Sequence, residues 1–159
     1  MTVSLGPLGK ADPEPLARLH REAFPGFFLS SRGEPFLVQF YRGFLDDDTA
    51  VTVVARASDG TVLGAAVGTT HPAGFFGRLL RRRLVGFATA SARAALRDPR
   101  RIPRLLRAVR YRGDTAGEHD GALLSSICMD PVAQRSGVGR RLLTAWLDGT
   151  AERGAPRPT

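Results

Sequence analysis

Cysteine, lysine and tryptophan each occur once in this 159-residue sequence, and tyrosine twice. The single Cys128 excludes an internal disulfide. With His20, His71 and His119 scattered along the chain, it also cannot assemble a structural metal site. No apolar run approaches the roughly 20 residues a membrane-spanning helix needs. The first residues lack the basic-then-apolar order of a signal peptide, so a cytoplasmic protein is expected. There is no internal repeat and no low-complexity tract beyond arginine richness. A 43% apolar content at this length supports one core, hence a single domain over residues 1–159.

The scarcity of lysine is matched by an excess of arginine: Lys10 is the lone lysine among 23 basic residues. The net charge of +8 is not spread evenly. Twelve basic residues fall between Arg78 and Arg112, where Asp98 is the only acid, and the rest of the chain is slightly acidic. Such a stretch admits a phosphate-binding or nucleic-acid-binding patch. Apolar residues recur through it at helical spacing, so the plainer reading is the solvated face of an arginine-rich helix. Nucleic acid is therefore the disfavoured partner, since no RNA-binding motif or series of stacking aromatics accompanies the charge.

Asp12 followed by Pro13 predicts a helix start, with Leu16, Leu19, Ala23 and Phe24 on one face and Pro25-Gly26 as its stop. Ser31 and Glu34 have capping-box spacing ahead of a second helix carrying Phe36, Leu37, Phe40, Tyr41 and Phe44, and Asp46-Asp47-Asp48 reads as a solvated turn. Two β-rich runs, 51–57 and 62–70, flank the hairpin signal Ser58-Asp59-Gly60-Thr61. A helix is expected from Arg78 to Leu96, on the stripe Leu80, Leu84, Phe87, Ala88 and Ala95. A shorter one follows beyond Pro99 and Pro103 to about Tyr111, then a polar loop from Gly113 to Gly121. A last strand, 122–129, leads through Asp130-Pro131 into a helix with Leu142, Leu143, Trp146 and Leu147. This order implies a mixed α/β layer structure.

The most informative segment is the turn between that strand and that helix, Gln134-Arg135-Ser136-Gly137-Val138-Gly139-Arg140. Glycines let backbone approach a ligand closely, and the first N–H groups of a helix lie unpaired at its positive end. Together they suit a pyrophosphate, with Arg135, Arg140 and Arg141 adding charge. The segment is not a dinucleotide fingerprint, because position 142 is Leu, nor a P-loop, because no Gly-Lys-Ser/Thr follows.

It resembles the coenzyme A motif Gln/Arg-x-x-Gly-x-Gly/Ala of the GCN5-related N-acetyltransferases (GNAT), and Gln134 to Gly139 matches every specified position. The resemblance extends to the order of elements over nearly the whole chain. It implies the GNAT fold, a largely antiparallel sheet flanked by helices, and acetyl-CoA or another acyl-CoA as cosubstrate, with no metal. It places the pantetheine arm on the backbone of Ile127, Cys128 and Met129 and the pyrophosphate on the amides from Arg135 to Arg140. The loop from Pro25 to Arg32, with Phe24, Phe27 and Phe28, would line the acceptor pocket. The implied reaction is direct acyl transfer to a primary amine, with a small-molecule acceptor such as an amino sugar suggested by the long segment before the last strand.

Two departures from the family pattern bear on activity. Many members carry a glutamate on the strand before the motif, whereas this strand has no carboxylate. The nearest titratable residues, Glu118, His119 and Asp120, are the candidate bases, although in a glycine-flanked loop each is more often simply solvated. Members also continue with further strands and a tyrosine general acid after the last helix, so a C-terminally short version of the fold is expected, completed in one reading by a partner subunit or homodimer. Three functions stay open: an N-acetyltransferase, an acyl-CoA-binding or interaction domain without turnover, and, behind both, a basic nucleic-acid-binding module.

Overall fold

The computed structural model describes residues 2–25, 33–97 and 121–155. Its centre is a four-stranded sheet in the order β1-β2-β3-β4, antiparallel throughout. The strands are β1 (Val3–Gly6), β2 (Ala50–Ala57), β3 (Val62–Thr69) and β4 (Leu123–Met129). The helices are α1 (Pro13–Ala23), α2 (Glu34–Leu45), α3 (Phe75–Arg82), α4 (Leu84–Arg97) and α5 (Val138–Glu152), with a short 3-10 turn at Pro131–Ala133.

β2 and β3 are central, and their alternating side chains feed two cores. Val54, Ala65 and Val67 meet Leu16, Leu19, Phe40, Tyr41, Phe44, Phe75 and Cys128 on the face covered by α1, α2 and α3. Val51, Val53, Ala55, Leu63 and Ala66 meet Val138, Leu142 and Trp146 of α5 on the other. The hairpin turns as its sequence predicts: Gly60 takes a positive φ of 86°, and the Asp59 carboxylate accepts from the Thr61 amide at 2.9 Å.

Several expectations are corrected. β1 escaped the sequence reading because only three of its residues, Val3, Ser4 and Leu5, precede Gly6-Pro7, too few to display alternation. Asp12 is the N-cap residue of α1 with Pro13 at its first position, as expected, but its side chain makes no capping hydrogen bond. Its carboxylate instead accepts from the Gly9 amide at 2.5 Å and pairs with Arg56 of β2, which tethers the entry to α1 against the sheet. α2 starts behind Gly33 at φ 89°, and Glu34 faces Arg18 and Arg21 of α1, so the reciprocal cap expected from Glu34 is replaced by ion pairs; Ser31 lies outside the described residues. The single helix expected over 78–96 is two, broken at Arg83, which leaves Leu84 and Val85 exposed instead of continuing the stripe. The short helix expected near Leu105 to Tyr111 also lies outside the described residues.

The break is tied to the acidic turn. Asp47 is buried, accepts from Thr49 Oγ1 at 2.6 Å and from Arg78 Nε at 3.1 Å, and has Arg82 at 3.7 Å, while Arg83 pairs with Asp46 at 2.5 Å. Asp46 and Asp48 are exposed as a solvated turn requires, Asp47 alone is not, and three of the arginines that suggested a basic patch are paired with this turn. Burial alone would raise the Asp47 carboxyl; hydrogen bonds from the Thr49 hydroxyl and from Arg78 outweigh it and hold the group below its ordinary 3.8. A depressed carboxylate stabilises the fold fully above 3.8 and loses that contribution as pH falls through its folded value. Asp47→Asn is accordingly expected to flatten the acid limb of stability against pH. At neutral pH it should cost about 1–3 kcal/mol, measured by urea unfolding across pH 2 to 7.

Candidate active site

β4 ends at Met129, and the chain turns through Asp130, whose carboxylate accepts from the Val132 amide at 2.8 Å. Gln134 is extended, Arg135 takes the left-handed φ of 63° and Gly137 does so at 81°, after which α5 begins. The first helical hydrogen bond here is from the Arg141 amide to the Gly137 carbonyl at 3.2 Å. Among the described residues, none of the amides from Arg135 to Arg140 donates to another group of the chain. Alternating left- and right-handed residues ahead of a helix gather such N–H groups into a concave anion cradle.

The two glycines of the motif serve different ends. A Cβ at Gly137 would meet nothing within 4 Å, so its hydrogen side chain is required by the positive φ and keeps the cradle open. A Cβ at Gly139 would lie 2.8 Å from Met129 Sδ, so that glycine lets α5 close onto β4. Arg135 and Arg140 flank the cradle with no ion pair among the described residues. Arg141, expected to join them, donates to the Val3 carbonyl of β1 at 3.1 Å.

Alongside the cradle, β4 is a sheet edge: among the described residues it pairs with β3 alone. The Asp130 amide donates to the Leu63 carbonyl at 2.8 Å, and the alternation of an antiparallel ladder then turns Cys128 toward β3 as well. The backbone groups of Ile127 and Met129 are directed to the open edge. Ser126 pairs with Val67 and Leu124 with Gly68, which leaves Ser125 as the extra residue of a bulge. Ser125 Oγ is buried without a hydrogen-bond partner among the described residues.

Behind β4, on the α1 and α2 side, sits a buried polar chain. Tyr41 Oη lies 2.8 Å from His20 Nδ1 and 3.3 Å from Cys128 Sγ. Burial pushes the Tyr41 and Cys128 groups up and the His20 imidazole down. All three are therefore neutral at neutral pH, and Cys128 is a protonated thiol with no nucleophilic character.

No protein-family model and no curated protein matches the sequence. Among solved structures, the fold matches AAC(6')-Iy in complex with the bisubstrate analogue CoA-S-monomethyl-acetylneamine. The TM-score is 0.57 at 14% identity, over 97% of this chain and 75% of that one. The fold is that of the GNAT acetyltransferases. Within the GNAT fold of this chain, the strand, turn and helix of the motif stand in the order the sequence implied.

Not every expected site residue can be placed in this GNAT fold. Glu118, His119 and Asp120, and likewise Phe27 and Phe28, lie outside the described residues. Phe24 caps α1 with its ring centroid 5.2 Å from that of His20. The sequence reading missed His20 and Tyr41 as polar members of the site because both fall on apolar helix faces, where they read as core. The available signal was a histidine in register with Leu16 and Leu19, four residues before Phe24, a position that must bury an imidazole.

Proposed function

We propose that this chain is an N-acetyltransferase that transfers an acetyl or other acyl group from coenzyme A to a primary amine of a small molecule, by direct attack within a ternary complex. The observation that carries the reading is the run of undonated amides from Arg135 to Arg140 beside the open edge at Ile127 and Met129, in a GNAT fold. The amides, with Arg135 and Arg140, take the pyrophosphate. Gln134, Ser136, Gly137, Val138 and Gly139 shape the turn that holds them. The pantetheine arm extends β4 through the backbone of Ile127 and Met129, whereas Cys128 contributes packing because its own backbone faces β3.

With the arm so placed, the thioester carbonyl lies against the strand edge and a β4 amide polarises it. The amine lone pair attacks, the carbon–nitrogen bond forms, and the carbon–sulfur bond breaks to release the coenzyme A thiol. Proximity and oxyanion stabilisation supply most of the rate in such a scheme. The class of acceptor we favour is an amino sugar, in line with the neamine portion of the analogue held by AAC(6')-Iy, and the setting is cytoplasmic. A second reading, an acyl-CoA-binding domain without turnover, is favoured by the lack of any carboxylate on β4.

Calorimetric titration with acetyl-CoA tests the reading. Ser136 is exposed and its hydroxyl donates to the Ala133 carbonyl at 2.5 Å, so Ser136→Glu gives up that one turn contact and sets a carboxylate beside the cradle amides. The parent is expected to bind saturably and the variant about 100-fold more weakly, or ~2.7 kcal/mol. Absence of binding by the folded parent would sink both the transferase and the binding-domain readings. Binding without acetylation of any amine in a broad panel would leave the second.

A further inference from the structure

His20 is 2% exposed in the last turn of α1, and only one side of its ring is accounted for. Nδ1 meets Tyr41 Oη at 2.8 Å, whereas Nε2 is buried with no hydrogen-bond partner among the described residues. A buried polar atom without a partner is costly, and natural folds keep few of them. Two tautomers fit the Tyr41 contact. If the phenol donates to Nδ1, the proton sits on Nε2 as a bare buried N–H. If Nδ1 donates to the phenol, Tyr41 passes its own proton on to Cys128 Sγ, and Nε2 keeps a free lone pair. The second arrangement satisfies the hydrogens of both His20 and Tyr41 and leaves bare on the imidazole only an acceptor, the less costly omission.

The setting suits a base. Tyr41 joins His20 to Cys128 on β4, the strand to which the thioester is assigned. Among the described residues, the groups shown against the imidazole are uncharged: the Tyr41 phenol of α2, through it the Cys128 thiol of β4, and the Phe24 ring at the end of α1. Among the described residues His20 joins no ion pair; Arg21, beside it on α1, is exposed and pairs with Glu34. Burial lowers the His20 imidazole, and with no anion paired to it among the described residues the ring stays neutral and able to accept a proton. Its place in the last turn of α1 sets it near the negative end of that helix, which stabilises the imidazolium once formed.

We propose that His20, oriented by Tyr41, takes the proton released by the acceptor amine as it attacks the thioester. This rests on the acetyltransferase reading above. The amine nitrogen forms its bond to the carbonyl carbon, and its surplus proton passes to Nε2, directly or through one water. The carbon–sulfur bond breaks with its electron pair on sulfur, and the thiolate is reprotonated, leaving His20 neutral again. Tyr41 is a positioning residue: it fixes the tautomer that leaves the buried Nε2 lone pair without a hydrogen-bond partner.

Long-range ¹H–¹⁵N correlation spectra of the intact, ¹⁵N-labelled chain at neutral pH report the tautomer without any variant. His20 is expected to be neutral with its proton on Nδ1; a proton on Nε2 would overturn the assignment. Acetyl-CoA binding to the same sample, measured by calorimetry, separates the two levels. No binding means that the transferase reading has failed, whereas binding with a proton on Nε2 means that only the role of His20 has. With neamine as acceptor, His20→Gln should lower kcat by about 10²–10⁴-fold, abolish the acid limb of its pH profile and leave acetyl-CoA affinity within threefold. Tyr41→Phe, which keeps the ring volume, should shift His20 toward the other tautomer and lower kcat less. If neamine is turned over and kcat in His20→Gln stays within threefold of the parent, the assignment is also overturned. If the parent binds acetyl-CoA but does not use neamine, the tautomer decides alone.

Discussion

Replacing Trp146 by alanine is expected to destabilise the chain by about 3–5 kcal/mol and to lower its Tm by roughly 10–15 °C. Trp146 is 1% exposed and fills the space between α5 and the β2–β3 pair, and its indole N–H donates to the Val51 carbonyl at 2.9 Å. The substitution removes the largest side chain of that core, opens a cavity and leaves the Val51 carbonyl without its donor. Trp146→Phe separates these losses: most of the volume remains while the hydrogen bond goes, so a cost of about 1–2 kcal/mol is expected. Because α5 presents the cradle, acetyl-CoA should bind Trp146→Ala more weakly even where the protein remains folded. A thermal unfolding scan that places the alanine variant within 2 °C of the parent would mean that the tryptophan does not anchor α5.

The position of Trp146 also shows which parts of the molecule its sequence discloses. Leu142, Trp146 and Thr150 recur every four residues, and a period of that kind is visible without coordinates. The same holds for β2 and β3, whose β-branched runs flank a turn with Asp-Gly, and for the cradle, where glycine spacing and a strand-to-helix boundary coincide. Less legible are features that depend on residues distant in sequence. Asp47 looks solvated until Arg78 and Arg82 reach it from α3, and Asp12 holds the N-cap position its sequence announces while its carboxylate goes to Arg56 of β2, which no local pattern shows. The Tyr41 to Cys128 contact spans 87 positions, and no local pattern announces it. The bulge at Ser125 is hidden for the same reason, since an inserted residue appears only when the register with β3 is known.

That register depends on Gly68, which supplies the second large effect. A Cβ there would fall 2.2 Å from the Leu123 carbonyl oxygen, 2.5 Å from Trp146 Cζ2 and 3.0 Å from Leu124 Cα. Two of these atoms are backbone and the third belongs to a close-packed indole, so the neighbours have little room to yield. Gly68→Ala is therefore expected at the upper end of overpacking costs, about 3 kcal/mol. In a Trp146→Phe background the indole atom is gone but the Leu123 oxygen stays, so the same substitution should cost about 1 kcal/mol less, and a double-mutant cycle measures that coupling. Displacing β4 from β3 also moves Cys128 away from Tyr41, so Gly68→Ala should weaken the hold on the His20 ring although it lies on a different strand. Amide hydrogen exchange along β4 tests this: faster exchange confined to Leu123 through Cys128 is expected. Unchanged exchange with full stability would place Gly68 elsewhere than against the bulge, and the site geometry built on that register would fall with it.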